Sequence, residues 1–564
     1  MSAIVETAKN QITKLILEAL GKAVSAGALP AEPVPGFGVE APADPKNGEF
    51  SSNAAMVSAR ALGMSPRRIA EALVPRMSAQ GTYIDRVEIA GPGFLNFYLA
   101  PAYYAGIVHD GLLLGADYGK SAFGGGKRVL VEFVSANPTG PMHIGNARGG
   151  AIGDGIASVL SFAGFDVTRE FYINDAGNQI EKLGVSLEAR YLQHFLGEDA
   201  AELPEDAYHG ADIVAHAENF AKLHGDAYVN ADSETRRKAL VEYALPINVK
   251  TLEEDLRRYR IEYDVWFRES SLHESGEVSR VIDLLTKRGY TYESDGALWF
   301  KATEFGADKD YVLVRSNGVP TYVAPDIAYH YNKLVVRGFD RAINVLGADH
   351  HDYTSRLKAA VVAAGIDGGR LEFVLTQMVR LISGGEPVKA SKRTGKSITL
   401  STLLEEVPTD AARFYFNLRE ANTHFDFDLD LAVEKTAQNP VFYVQYAHAR
   451  ICSILRNLEE EDFDLSALEK ADFTLLDTPE ERALIRLIAS LTEEVVAAAK
   501  NLDPSRLTKY AIDVASEFHR FYTACRVRCE DPGLTAARAA LCVASRTVLR
   551  NVLGLLKITA PDRM

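Results

Sequence analysis

Arg128-Val129-Leu130-Val131-Glu132-Phe133-Val134 leads into Ser135-Ala136-Asn137-Pro138-Thr139-Gly140-Pro141-Met142-His143-Ile144-Gly145-Asn146, then into Ala147-Arg148-Gly149-Gly150-Ala151-Ile152-Gly153. The first seven residues form a short, largely apolar run, the pattern of a buried strand. Pro138, Gly140 and Pro141 mark a turn, and a helix is predicted from near His143 to about Ala163. Strand, turn and helix in that order open a doubly wound α/β domain. A helix N-terminus offers unpaired N–H groups and a partial positive charge, which suits phosphate. Gly145 would let a nucleotide approach the backbone, while Gly149, Gly150 and Gly153 keep the first turns bare. Each glycine costs up to ~1 kcal/mol of helix propensity, and close packing of helix on sheet would use glycine equally well.

A second segment offers the complementary charge. Lys389-Ala390-Ser391-Lys392-Arg393-Thr394-Gly395-Lys396-Ser397 is a cationic loop after the strand-like run Phe373-Val374-Leu375. Lysine point charges suit a triphosphate and the charge developing on departing pyrophosphate. Gly395-Lys396-Ser397 ends like a P-loop, but that pattern requires glycine where Ala390 stands, and no strand is expected to run directly into it. The P-loop is rejected, and the two separated segments together are read as an ATP site.

Outward from this centre, 564 residues exceed what one hydrophobic core sustains. Residues 1–112 read as an α+β domain. An amphipathic helix covers 3–25, a Pro/Gly-rich stretch follows, and a helix starts at Ser65-Pro66, with Ser65 as cap. Val87-Glu88-Ile89 and Phe94-Leu95-Asn96-Phe97-Tyr98-Leu99 alternate like strands around Gly91-Pro92-Gly93. Residues 120–405 read as the α/β domain, with a mostly helical, charged insertion at about 170–300. Residues 406–564 read as helical throughout, with Glu459-Glu460-Glu461-Asp462 a solvated loop.

No apolar run of about 18 residues suggests a membrane span, and no basic-then-apolar start suggests secretion, so a cytoplasmic location is expected. Cys452, Cys525, Cys529 and Cys542 include no Cys-x-x-Cys pair. No structural zinc or other protein-held metal is expected, and four cysteines fit a reducing compartment. Cys525 and Cys529 would share one helix face. The net charge of −15 does not advertise a nucleic-acid binder, yet residues 501–564 hold ten Lys/Arg against six acids.

The two segments resemble the HIGH and KMSKS signatures of class I aminoacyl-tRNA synthetases. Further blocks resemble the bacterial arginyl-tRNA synthetases. Val131 to Pro141 is similar to that family's approach to the first signature, and Phe171-Tyr172-Ile173-Asn174-Asp175-Ala176-Gly177-Asn178-Gln179 to its next block. Gly318-Val319-Pro320-Thr321-Tyr322-Val323-Ala324-Pro325-Asp326-Ile327-Ala328-Tyr329-His330 resembles its substrate-site helix, and Gly347-Ala348-Asp349-His350-His351 its nucleotide-site turn. Asn439-Pro440-Val441-Phe442-Tyr443-Val444-Gln445-Tyr446-Ala447-His448-Ala449-Arg450 resembles the start of its anticodon domain. The likeness spans almost the whole chain, in family order.

The resemblance implies a Rossmann-like class I catalytic domain with a helical insertion, an N-terminal α+β tRNA-binding domain and an all-α anticodon-binding bundle. It implies arginine–tRNA ligase activity through an arginyl-adenylate, with ATP, L-arginine and tRNA(Arg) as partners, Mg²⁺ on the nucleotide, and a monomer. His143, Asn146, Lys389 and Lys392 would serve catalysis. ATP would be bound by these with Gly145, Gly347, Asp349, His350 and Ser391. Glu132, Asn137, Tyr322 and Asp326 would hold arginine, whose planar guanidinium needs carboxylate and amide oxygens around it. Tyr322 and Asp326, four apart, would share one face of a helix. Phe518, Tyr522, Arg526 and the terminal Met564 are the candidates for tRNA contact, since unpaired loop bases are gripped by aromatics and arginines. Asn146 stands where the family usually has histidine, and Ala390 where it has methionine. Asparagine donates an amide hydrogen bond but cannot become cationic, so phosphate positioning is expected at 146 in place of proton transfer. A class I synthetase of other specificity, or a tRNA-binding paralogue without catalysis, are the alternative readings.

Overall fold

The computed structural model describes residues 3–348, 351–388 and 398–564. Among these, five parallel strands build the central sheet, ordered Leu371–Thr376, Arg341–Gly347, Arg128–Glu132, Asp166–Ile173, Val265–Arg268. The strand read first from the sequence lies in the middle, and Val129, Leu130 and Val131 are wholly buried. Covering of both faces explains why that run is continuously apolar. The chain moves one way from Arg128–Glu132 to Asp166–Ile173 and later returns on the other flank as Arg341–Gly347. The reversal creates a crevice at the carboxyl ends of the first strand and Arg341–Gly347, where open α/β sheets bind ligands.

The helix Ile144–Phe162 packs behind this crevice. A side chain at Gly153 would come within 2.4 Å of Phe133, and one at Gly150 within 2.9 Å of Ile261. Those two glycines therefore serve close packing of helix on sheet. The helical insertion is narrower than its composition suggests. Helices Asn178–Leu196, Ala211–His224 and Ser233–Arg258 form it, after which Val265–Arg268 returns to the central sheet. Ala297–Phe300 then pairs with both Thr291–Ser294 and Tyr311–Val314 in a small antiparallel sheet.

The N-terminal region carries the helix Ala3–Ser25 on an antiparallel sheet whose hairpin, Ile84–Ala90 and Phe94–Leu99, closes through Gly93 at φ 141°. Ser65 takes the extended cap conformation ahead of Pro66–Leu73, but makes no side-chain cap hydrogen bond. Toward the C-terminus, Phe425–Asp428 pairs in parallel with Val379–Ser383, a strand that the helical pattern beyond residue 404 hides. Glu386–Pro387 pairs with Val379–Ser383 just before the cationic segment, so a short strand does lead there, and Ala390 alone excludes the P-loop.

The helices Pro440–Glu460, Pro479–Asn501, Ser505–Ala524 and Pro532–Leu555 make the C-terminal bundle. Glu459 and Glu460 close the first of these and only Glu461 and Asp462 form the turn. Cys525 caps Ser505–Ala524, so Cys529 lies beyond the helix and the two cysteines do not share its face. Among the described residues no helix is long and apolar enough to cross a membrane.

Candidate functional site

The turn after the first strand is strained. Val134 and Ser135 sit at φ 67° and 41°, a left-handed conformation that a β-branched valine rarely adopts. Its neighbours hold it there. The Tyr263 hydroxyl donates to Phe133 O at 2.9 Å, and Ser135 Oγ donates to Glu132 Oε1 at 3.0 Å while accepting from the Tyr172 amide at 3.1 Å. From the insertion, Asn248 Nδ2 donates to Pro138 O at 3.0 Å, and His216 fixes Asn248 through Oδ1 at 2.7 Å. Strain over-determined in this way clusters at functional sites and costs about 1–3 kcal/mol per residue.

His143 is the N-cap of Ile144–Phe162, and its Nδ1 accepts from the Gly145 amide at 3.3 Å. The imidazole is exposed, as is Gly145, and Asn146 is half-buried. A side chain at Gly145 would meet nothing nearer than His143 Nδ1 at 3.8 Å. Unlike Gly150 and Gly153, Gly145 thus faces open space, as close approach of a ligand requires. His143 forms an antiparallel bridge with Thr399, and the Leu400 amide donates to Met142 O at 3.0 Å. The chain leaving the second cationic segment therefore re-enters directly beside His143. Lys389, Ser391 and Lys392, like Asp349 and His350, lie outside the described residues. Gly347 ends the adjacent strand, opposite Thr376.

Below this crevice lies a cluster of carboxyls, Glu132 buried and Asp326 and Glu269 half-buried. Glu132 is 7% exposed; Lys333 pairs with its Oε2. Asp326 lies on Val323–Tyr331, whose N-cap is Tyr322, and the Asp326 amide points to Tyr322 O at 3.4 Å. Burial pushes the Asp326 carboxyl up to about 7, against the opposing pull of Arg356 and the Tyr353 hydroxyl, and Glu269 and Glu132 push the same way as burial. Burial also raises the Glu269 carboxyl, whose Oε2 accepts from the Tyr172 hydroxyl at 2.9 Å. Arg356 joins both ends of the expected pair. Its guanidinium is 3.4 Å from Asp326 Oδ2 and 5.0 Å from the centre of the Tyr322 ring. Tyr322 is otherwise exposed, as is Asn137. Glu132 and Asp326 are thus brought together. Lys333, Arg356, Glu269 and Ser135 belong to the same site and escape sequence reading, because nothing local separates them from ordinary surface charges.

On the C-terminal bundle, Phe518 is wholly buried, so no base can stack on it without opening the core. The expectation of tRNA contact at Phe518 is corrected on that ground. Tyr522 is 40% exposed and Met564 55%, and Arg526 is also exposed. Tyr446 and Arg450, from the block that opens the C-terminal bundle, complete this face. Arg450 lies over Tyr446 at 4.6 Å and Tyr522 at 5.5 Å, and its Nη2 donates to the Tyr446 hydroxyl at 2.6 Å. Nearby, His448, Cys452 and Asp562 bring three potential metal-ligand atoms within 4.8 Å. His448 Nδ1 is hydrogen-bonded to Pro561 O at 2.9 Å, and Asp562 faces Arg550 at 3.7 Å. These bonds tie down the tail, and the neighbouring guanidinium opposes a cation.

Three family models together match nearly all of the chain: an arginyl tRNA synthetase N terminal domain over 10–99, the class I (R) tRNA synthetase catalytic domain over 108–453, and a DALR anticodon binding domain over 444–564. The arginine–tRNA ligase of Caldanaerobacter subterraneus is 56% identical over 564 residues, covering all of both chains. That of Acetivibrio thermocellus is 52% identical, again over the full length of both. The solved arginyl-tRNA synthetase of Thermus thermophilus superposes with a TM-score of 0.74 at 23% identity, over 97% of this chain and 99% of that one, a likeness of fold.

Proposed function

This chain belongs to the arginyl-tRNA synthetase family and is an arginine–tRNA ligase, and we propose that its clustered carboxyls receive the arginine while His143 and its neighbours position ATP. The ligase spends ATP to AMP and pyrophosphate in attaching L-arginine to tRNA(Arg). The observation that supports the assignment of parts is the gathering of Glu132, Glu269 and Asp326 near the carboxyl end of the first strand, which the turn to His143 follows. Carboxyls in excess at an opening to solvent suit a guanidinium.

In the first step an oxygen of the arginine carboxylate attacks the α-phosphorus, and the bond from that phosphorus to the bridging oxygen breaks, releasing pyrophosphate. In the second, a ribose hydroxyl of the terminal adenosine attacks the arginyl carbonyl and AMP leaves. No enzyme nucleophile is required, so the protein contributes orientation and charge. Asp326 and Glu269 take the guanidinium, Tyr322 closes over it, and Glu132 and Asn137 hold the amino-acid end. His143, Asn146 and the open backbone at Gly145 and Gly347 position the triphosphate and adenosine, and Lys389, Ser391 and Lys392, with Asp349 and His350, complete that role. Mg²⁺ carried in on the phosphates would neutralise the leaving pyrophosphate.

Tyr446, Arg450 and Tyr522 form the platform for anticodon bases, flanked by Arg526 and Met564. A cytoplasmic monomer, with domain boundaries near 112 and 405, is the proposed working form. Pyrophosphate exchange with each amino acid, with and without tRNA, tests the reading. Exchange specific to arginine in the presence of tRNA(Arg) is expected, and its absence there would overturn it.

A further inference from the structure

A continuous chain of hydrogen bonds joins the backbone carbonyl of Asp326 to the Glu132 carboxylate through side chains that the mechanism does not use. His330 Nδ1 lies 2.8 Å from Asp326 O, and its Nε2 lies 2.8 Å from Asn344 Nδ2. Burial holds this imidazole neutral, with its pKa lowered to about 3. Its geometry then sets the tautomer: Nδ1–H donates to the carbonyl and Nε2 accepts from the amide. That bond turns Asn344 Oδ1 toward Lys333, whose Nζ donates to it at 3.2 Å and also to Glu132 Oε2. The Tyr329 ring covers the ammonium at 3.9 Å, and Lys333 is wholly buried.

Lys333 arrives there through an irregularity of the backbone. It lies on a single π-helical turn, Asn332–Val336, that continues the helix bearing Asp326. Such turns are rare and mostly occur at functional sites. A buried ion pair is also a poor device for stability alone, since apolar side chains of similar volume often serve as well or better. Without Lys333, Glu132 would keep the Ser135 hydrogen bond on Oε1 but lose the partner that fixes Oε2.

We propose that Lys333 is a positioning residue for arginine binding: it holds the Glu132 carboxylate in one orientation, with Asn344 and His330 holding the ammonium in place. Ser135 fixes the other oxygen of Glu132, so both lone-pair directions are set before the substrate arrives. The proposal rests on the reading of Glu132 as an arginine ligand.

The test compares Lys333→Met, Glu132→Gln and the double variant with the full-length wild type, in arginine-dependent pyrophosphate exchange with tRNA present. Lys333→Met is expected to raise the arginine KM about tenfold or more with a smaller change in kcat. The double variant is expected to match Glu132→Gln, because the lysine acts only through that carboxylate. An unchanged KM in Glu132→Gln would overturn the ligand reading and this proposal with it. A raised KM in Glu132→Gln, with the effect of Lys333→Met adding in full in the double variant, would overturn the positioning role alone. Should Lys333→Met fail to fold, Asn344→Leu takes its place, leaving both charges but unseating the ammonium. A raised arginine KM with kcat retained supports the proposal there, and an unchanged KM overturns it.

Discussion

Arg413 and Asp154 form an ion pair at 2.5 Å with both side chains shut off from solvent, at 0% and 2% exposure. Asp154 sits on the helix that His143 caps, and Arg413 on Thr409–Phe416, which leads to the C-terminal bundle. The same guanidinium donates to Leu556 O at 2.7 Å and Tyr259 O at 2.9 Å. One side chain thus fastens the helix behind the ATP site, the end of the insertion and the end of the last long helix.

Arg413→Met should therefore destabilise strongly, by about 3–5 kcal/mol, because it leaves a buried carboxylate and two carbonyls without their donor. Arg169, 3.0 Å from Asp154, retains part of the pairing. Adding Asp154→Asn should recover some of the loss. The midpoint of thermal unfolding checks both, and an unshifted midpoint in Arg413→Met would contradict the role of the pair.

Asp326 should impose a pH dependence. With its carboxyl near 7 in the free protein, arginine kcat/KM should be level above about pH 7 and fall about tenfold per unit well below it. The effect on stability has the opposite sense. A carboxyl raised by folding binds its proton more tightly in the native state, so its contribution weakens as pH rises from the ordinary aspartate range to about 7. Asp326→Asn should abolish the acid limb of the kcat/KM profile together with most of the activity, and a limb that persists would assign it elsewhere.

At the bundle, Tyr522→Ala should weaken tRNA(Arg) binding by about 5- to 150-fold, the span of roughly 1–3 kcal/mol for a lost base stack. Phe518→Leu, four residues away but buried, should lower thermal stability and leave tRNA affinity nearly intact. Titration of the tRNA at fixed salt distinguishes the two, and equal losses of affinity would refute the stacking platform.

The contrast between Phe518 and Tyr522 marks where sequence reading stops. Both lie on one helix and the rings stack at 6.3 Å, so periodicity identifies the helix without deciding which ring meets solvent. The first strand and the helix after His143 are legible because an apolar run and turn residues are local signals. Glu132 and Asp326 are reached through the family's motifs. Lys333 is not, because it meets Glu132 across 201 residues of sequence and a π-turn decides which way it points. Glu269 is hidden similarly, at the end of a strand inside a segment whose charge pattern reads as a helical insertion. Phe425–Asp428 escapes because its parallel partner is 46 residues earlier and its Phe-Asp alternation is only four residues long.

Lys392→Ala should lower turnover about 100-fold or more, the scale for removing a charge aimed at the developing pyrophosphate, with a smaller effect on the arginine KM. Equal losses in both would mark a structural role.

The glycines at the start of the ATP-site helix separate ligand space from packing space. Gly145→Ala adds a methyl whose nearest protein atom, His143 Nδ1, is 3.8 Å away, an unstrained contact, and alanine favours the helix, so stability should hold or rise. If that space belongs to the triphosphate, the ATP KM should nevertheless increase. Gly153→Ala puts its methyl 2.4 Å from Phe133, and should cost about 1–3 kcal/mol by overpacking, with the ATP KM of the surviving native protein little changed. Measuring the ATP KM and the unfolding midpoint in both variants distinguishes the two. A Gly145→Ala enzyme with unaltered ATP KM would remove the backbone at 145 from the nucleotide site and leave the exposed His143 side chain as the contact at this helix end.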